Sequence, residues 1–186
     1  MKRLVIDTET SGLSADTHEM LTIGMLLIDV DKDKLDILEE RHLLLKHDKY
    51  NLSRSAMHIN NINIVEHDKH AIPIKKVIQE INNFIEEYDL KETITIGHNF
   101  HFDQRFIRTT FEKFGCSYPF SLEKEDTRYI WEGLKKRGII NPCKNAKLGT
   151  IAEHFDVDYS KAHDALADCK ITAQVYYEML KLSSTT

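Results

Sequence analysis

Cysteine and proline are scarce in this chain, with 3 of each among 186 residues. Cys116, Cys143 and Cys169 are widely separated, which excludes the close pairs of a zinc cluster or redox motif, and their odd number excludes a complete disulfide framework. Isolated thiols suit a reducing compartment, so a cytoplasmic setting is expected. So few prolines, with only 7 glycines, leave little room for a low-complexity linker. Long hydrophobic runs are missing too: nothing approaches the roughly 20 apolar residues that span a bilayer, so no membrane partner is expected. The run Leu4-Val5-Ile6 is stopped at once by Asp7, which does not fit a signal peptide. Positive charge is not in excess either. A formal net charge of −5 argues against a protein that gathers nucleic acid through its overall field. It leaves open a site built from carboxylates, whose charge bound divalent cations would cancel; a polyanion would then need a local basic surface.

What is present is an ordinary globular composition, 41% hydrophobic and 30% charged. The length suits a single domain, placed at residues 1–182 with a short tail at 183–186. Leu4-Val5-Ile6 reads as a buried strand ending at Asp7, followed by a Ser11-Gly12 turn. Strands are expected at about Leu21–Asp29 and Leu35–Leu45. The polar stretch from Asn51 to His70 offers short helical turns, one of which Ser53 could cap. Ile74, Val77, Ile78, Ile81, Phe84, Ile85 and Tyr88 recur at three- and four-residue spacing and predict an amphipathic helix from about Pro73 to Tyr88. A strand at Thr93–Ile96, a helix from Asp103 to Phe114 closed by Gly115, a weak strand at Ser121–Glu125 and a helix over Thr127–Lys136 follow. Leu148, Ile151, Ala152 and Phe155 mark a short helix. Leu166, Cys169, Ala173, Tyr176 and Leu180 mark a last helix begun near Asp164. Three strands in succession and then helical crossovers predict an α/β fold with a mixed five-stranded sheet and helices on both faces.

Three acidic segments carry the chemistry. Asp7 and Glu9 in Asp7-Thr8-Glu9-Thr10 are two residues apart on a strand, so both carboxylates point to one face, as hard ligands for magnesium or manganese; acids at a strand end entering solvent are the plainer alternative. Asp103 closes His98-Asn99-Phe100-His101-Phe102-Asp103 just after a second buried strand, as a site group or simply as a helix cap. There Asn99 or Phe102 could line a cleft, although Phe100 and Phe102 read more simply as core. In His163-Asp164-Ala165-Leu166-Ala167-Asp168, Asp164 suits the cap, Asp168 lies one turn further on, and His163 sits just outside the helix; a solvent-facing Asp and a surface His remain the alternative. Taken together, four carboxylates crowded at one place repel unless cations lie between them. Lys135, Lys136, Arg137, Lys144 and Lys147 run without an intervening acid and, with Lys161, offer either an edge for phosphates or a solvated loop.

Asp7-Thr8-Glu9-Thr10-Ser11-Gly12-Leu13, Asn99-x-x-Phe102-Asp103 and His163-x-Ala165-x-x-Asp168, in that order, resemble the three motifs of the DEDDh 3′–5′ exonucleases, proofreading-type nucleases with a ribonuclease H-like fold. The resemblance covers most of the chain. It implies two divalent cations, Mg2+ or Mn2+, held by Asp7, Glu9, Asp103 and Asp168, with His163 as general base. It further implies contacts of Thr10 and Leu13 with the terminal nucleotide. The expected partner is a nucleic acid with a free 3′ end, most simply DNA that is single-stranded or frayed, and nucleoside 5′-monophosphates would be released. RNA 3′ ends or short oligoribonucleotides are the alternative substrate, since both sugars pose the same phosphate problem. A non-catalytic nucleic-acid-binding or polymerase-accessory module is the alternative of a different class. No polymerase domain fits in this length, so proofreading would need a noncovalent polymerase partner.

Overall fold

In the computed structural model, which describes residues 1–141 and 145–183, the first strand β1 runs from Lys2 to Thr10. The sequence pattern ends it at Asp7, where charge begins. The strand continues because Thr8 and Thr10 turn inward while Asp7 and Glu9 stay half-buried on the other face. β2 (Met20–Val30) and β3 (Leu35–Lys46) complete a meander. β1 and β2 pair antiparallel with Asp7 opposite Gly24 and Glu9 opposite Thr22, and Thr22 in turn faces Leu44 of β3.

The stretch from Asn51 to His70 forms two short helices, α1 (Arg54–Asn60) and α2 (Ile64–His70). Ser53 stands at the cap position of α1 but bonds Ser55 at 2.9 Å, not the helix backbone; the working cap is Asn63, which accepts from Val65 and Glu66 at the start of α2. Ile72–Pro73 (β4) then adds a sixth, two-residue strand to the five expected. It sits at the sheet edge, the only place where a proline lacking its N–H is tolerated in a ladder. The remaining elements are α3 (Ile74–Tyr88), β5 (Thr95–Gly97), α4 (His101–Lys113), β6 (Lys124–Asp126), α5 (Thr127–Lys136), α6 (Leu148–His154) and α7 (Ala165–Ser183). The sheet order is β4-β3-β2-β1-β5-β6, with β5 parallel to β1 and β6 parallel to β5. Ser183, placed by sequence in a tail, ends α7, while Cys143, Lys144 and residues 184–186 lie outside the described residues.

Burial on both faces of the sheet fixes the layers. Leu4, Ile6, Ile23 and Met25 point to one side and meet Val77, Ile81 and Phe84 of α3 and Phe106, Ile107 and Phe111 of α4. Val5, Leu26, Ile28 and Ile96 point to the other and meet Cys169, Ala173 and Tyr176 of α7. The outer side of α7 is covered by Trp131 and Leu134 of α5 and Ile151 of α6. Each fully buried Leu, Ile or Phe contributes about 1.5–3 kcal/mol, so α7 is held from both sides, and its first turn lies where the face carrying Asp7 and Glu9 ends.

Candidate active site

Asp7 and Glu9 come from β1, Asp103 from the first turn of α4 and Asp168 from the first turn of α7. One ligand oxygen from each of Asp7, Glu9 and Asp168 lies within 4.8 Å of the other two, the one such group of metal-ligating side chains among the described residues. Asp103 stands outside that group. It is buried, and its Oδ1 accepts from the backbone N–H of Thr8 at 2.9 Å and the Thr8 hydroxyl at 2.7 Å. Asp103 is the third residue of α4, so it is not the helix cap, and its charge still bears on Asp7.

Burial of like charges dominates the electrostatics. Asp7 is pushed well above the ordinary carboxylate range by burial and then by the charges of Asp103, Asp168 and Glu9. Glu9 rises from 4.5 to about 8 for the same reasons, burial first and Asp168 next. Burial lifts Asp103 to about 7 against the two Thr8 hydrogen bonds, and lifts Asp168 against the N–H of His163, which donates to its Oδ2 at 3.1 Å. The other oxygen of Asp168, Oδ1, is buried with no hydrogen-bond partner among the described residues. A buried carboxylate oxygen left unpaired beside two further carboxylates suits a hard divalent cation, which removes both the repulsion and the unmet valence. Asp7, Glu9 and Asp168 can therefore hold such an ion.

The sign of the pH dependence follows. Between 4.5 and about 8 the folded chain holds a proton on Glu9 that the unfolded chain has released, so raising the pH through this window favours unfolding. Without divalent cations, thermal melts should show stability falling from about pH 5 to about pH 8. Cation affinity should move the opposite way, gaining up to about tenfold per pH unit for each proton displaced. Calorimetric titrations with magnesium at several pH values would check this; an affinity flat across that range would contradict it.

Two features close the ring, and the sequence pattern does not single them out. Gly24 sits mid-strand beside Asp7, and a Cβ there would lie 2.4 Å from the carbonyl oxygen of Ala165, the first residue of α7. Glycine inside a strand often marks such a close approach of backbones, which was the available sign. Gly24→Ala must push α7 away and should cost about 1–3 kcal/mol. It should also weaken magnesium binding, because Asp168 moves with the helix; urea unfolding and a metal titration measure both, and a variant unchanged in each would refute the role. The second feature is Asp126, the cap of α5. It accepts from the N–H groups of Asn99 at 3.0 Å and Phe100 at 2.8 Å as well as from Arg128, and so ties down the loop that leads into Asp103.

The other expected residues are placed as follows. His163 is exposed, adopts a left-handed φ of 73° and packs edge-on to Tyr159 with ring centroids 6.2 Å apart. Asp164 accepts from the N–H of Ala167 at 3.0 Å and caps α7. Asn99, also left-handed with φ 61°, receives Arg128 on its side-chain oxygen at 2.9 Å. Phe102 is half-buried against Phe106 at 5.0 Å, while Phe100 is fully buried. Thr10 is buried, its hydroxyl on the carbonyl of Gly12 at 2.7 Å, and Leu13 projects into solvent at 79% exposure. Lys161 is exposed. In the basic stretch Lys135 is paired with Glu132, and Lys147 lines a cavity with His98, Asn99 and Arg128.

Residues 4–176 match the family model of the RNase_T exonucleases. The chain belongs to this exonuclease family. It is of the DEDDh type, within the ribonuclease H-like superfamily that its three motifs imply. Among its relatives, a PolC-type DNA polymerase III of Thermotoga maritima is 27% identical over 179 residues, which are 96% of this chain and 12% of that protein. Ribonuclease T of Wigglesworthia glossinidia brevipalpis is 28% identical over 186 residues, 95% of this chain and 83% of that one. The fold is that of E. coli Exonuclease I, solved in complex with a dT13 oligonucleotide: TM-score 0.85 at 18% identity, over 99% of this chain and 42% of that one. The exonuclease domain described here thus spans a small part of its polymerase relatives and most of the length of ribonuclease T. Among the described residues, no helix is long and apolar enough to cross a membrane.

Proposed function

We propose that this exonuclease hydrolyses DNA from single-stranded or frayed 3′ ends and releases nucleoside 5′-monophosphates, with two divalent cations, Mg2+ or Mn2+, as cofactors. The observation that carries the reading is the convergence of Asp7, Glu9 and Asp168, with one oxygen of Asp168 buried and unpaired. Asp7, Glu9 and Asp168 would hold one cation, and Asp7 with Asp103 would support the second. When bound, the cations supply the positive charge that an anionic phosphodiester needs beside four carboxylates, and they acidify water. His163 takes a proton from the attacking water; an exposed imidazole two residues before α7 can reach solvent and substrate alike. A water oxygen–phosphorus bond forms, the bond from phosphorus to the departing 3′ oxygen breaks, and that oxygen takes a proton from solvent as it leaves. Thr10 and the exposed Leu13 would receive the terminal nucleotide, Asn99 and Phe102 would line the cleft, and Lys161 would meet a phosphate.

DNA is favoured by two likenesses, to a polymerase named for DNA and to an exonuclease solved with dT13. The relative named ribonuclease T, matched over 83% of its length, favours RNA 3′ ends as the second reading. A noncovalent polymerase partner in the cytoplasm belongs to the first. The deciding experiment incubates the protein with 5′-labelled single-stranded DNA, duplex DNA with a mismatched end, and matched RNA, each with magnesium, manganese or chelator. A ladder shortened from the 3′ end on DNA, abolished by chelator, is the expected result. Faster shortening of RNA selects the second reading, and binding without cleavage in any metal overturns both.

A further inference from the structure

Four lysines converge where three elements end. Lys46 and Lys49 lie at and just beyond the end of β3, Lys75 on the first turn of α3, and Lys113 on the last turn of α4. They line a groove of about 460 Å³ together with His47, Glu19, Asp48 and Phe114. Four lysines against two acids give this surface a positive balance on a chain whose formal charge is −5. All four side chains are exposed, and none forms an ion pair among the described residues. Elsewhere lysines do find acids: Lys34 pairs with Asp29, Lys69 with Glu66 and Lys170 with Glu40. Lysines around one groove that form no ion pair among the described residues have their charge available for a polyanion. Phe114, 38% exposed on the rim, adds an aromatic face of the kind on which unpaired bases stack.

The groove lies at the same end of the sheet as the acidic group. Glu19, one of its lining residues, binds Ser11 twice, by its backbone carbonyl to the Ser11 N–H at 2.9 Å and by its carboxylate to the Ser11 hydroxyl at 2.8 Å. Ser11 follows directly on Thr10, the last residue of the strand that carries Asp7 and Glu9. In the sheet, Glu9 faces Thr22 and Thr22 faces Leu44, so Leu44 is two strand spacings, about 10 Å, from Glu9, and Lys46 follows two residues on. Lys46 therefore stands on the same sheet face as Glu9, two strands away and one pleat repeat further along β3.

We propose that this groove binds the phosphate backbone of the single strand 5′ to the nucleotide being removed, with Phe114 as a stacking platform, and so serves as the substrate track of the exonuclease site. The inference rests on the function proposed above only for the strand's direction. The sequence pattern offers Lys135–Lys147 either for this role or as a solvated loop, and Lys135 there is paired with Glu132.

Binding and cleavage test it separately. A fluorescent oligonucleotide of about 20 nucleotides and a labelled dinucleotide are titrated into Asp7→Asn, a chain held inactive, with and without the triple reversal Lys46→Glu, Lys49→Glu, Lys113→Glu. The reversal should weaken the long strand at least tenfold and flatten its salt dependence by about 0.7 per lost phosphate contact, while leaving the dinucleotide unchanged. On the active chain it should raise KM for the long strand with kcat unaltered, and the milder Phe114→Ala should raise KM less. Unchanged affinity for the long strand overturns the proposal and leaves the groove to an acidic protein segment. Equal loss on both lengths also overturns it, since the groove would then act through the site itself. Absence of cleavage by the unaltered chain would overturn the hydrolytic reading, and loss of long-strand binding would still establish the track.

Discussion

Asp7→Asn should lower magnesium-dependent strand shortening by at least about a thousandfold while leaving the fold intact. Asp7 is where burial and the charges of Asp103, Asp168 and Glu9 meet, so it is the carboxylate with most to gain from a cation. An amide of the same shape keeps the packing and removes one charge from a buried like-charged group. The variant measured in chelator should therefore melt no lower than the parent, and above neutral pH it should melt higher. What it should lose is the rise in melting temperature that magnesium gives the parent, because the affinity difference between folded and unfolded chain is what produces that rise. Asp168→Asn should behave alike, since its amide oxygen can still accept the His163 N–H. Retention of more than a tenth of the activity by either variant would break the link between this group and the reaction.

His163→Ala should reduce kcat by about a hundredfold to ten-thousandfold with little change in KM or in magnesium affinity. Its side chain is exposed and packs edge-on to Tyr159, so stability should stay within about 0.5 kcal/mol. Added imidazole should restore part of the rate to the shortened side chain. The backbone offers a further control. At φ 73° a residue with a Cβ is strained by about 1–2 kcal/mol, so His163→Gly should be more stable than His163→Ala yet equally slow. Full turnover by either variant at saturating metal would remove His163 from the chemistry.

The N-terminal meander, the helices over Ile74–Tyr88 and Thr127–Lys136 and the stripe of α7 were legible because periodicity and turn residues agreed there. The order of the three acidic segments was legible as well, since motif spacing depends on chain order alone. The exact pairing of their side chains was not. Asp103 reads either as a site group or as a cap until the bonds from Thr8 are seen, because the residue that binds it lies 95 positions away. Gly24 and Asp126 act through backbone atoms, Gly24 by admitting the carbonyl of Ala165 and Asp126 by holding two N–H groups, and hydropathy carries no record of either. Polarity alone ends β1 too early, because half-buried acids look like solvent to it. β4, two residues at an edge, leaves no period to read.

The docking of α7 on β1 joins residues far apart in the chain: the Cys169 thiol lies on the carbonyl of Val5, 164 positions away. A ribosome therefore releases most of this domain before Asp168 can reach Asp7. Until α7 has emerged, the chain carries two of the three clustered carboxylates but lacks the helix that brings the last one. Under the proposed mechanism the acidic group is complete only once α7 has emerged and seated on β1.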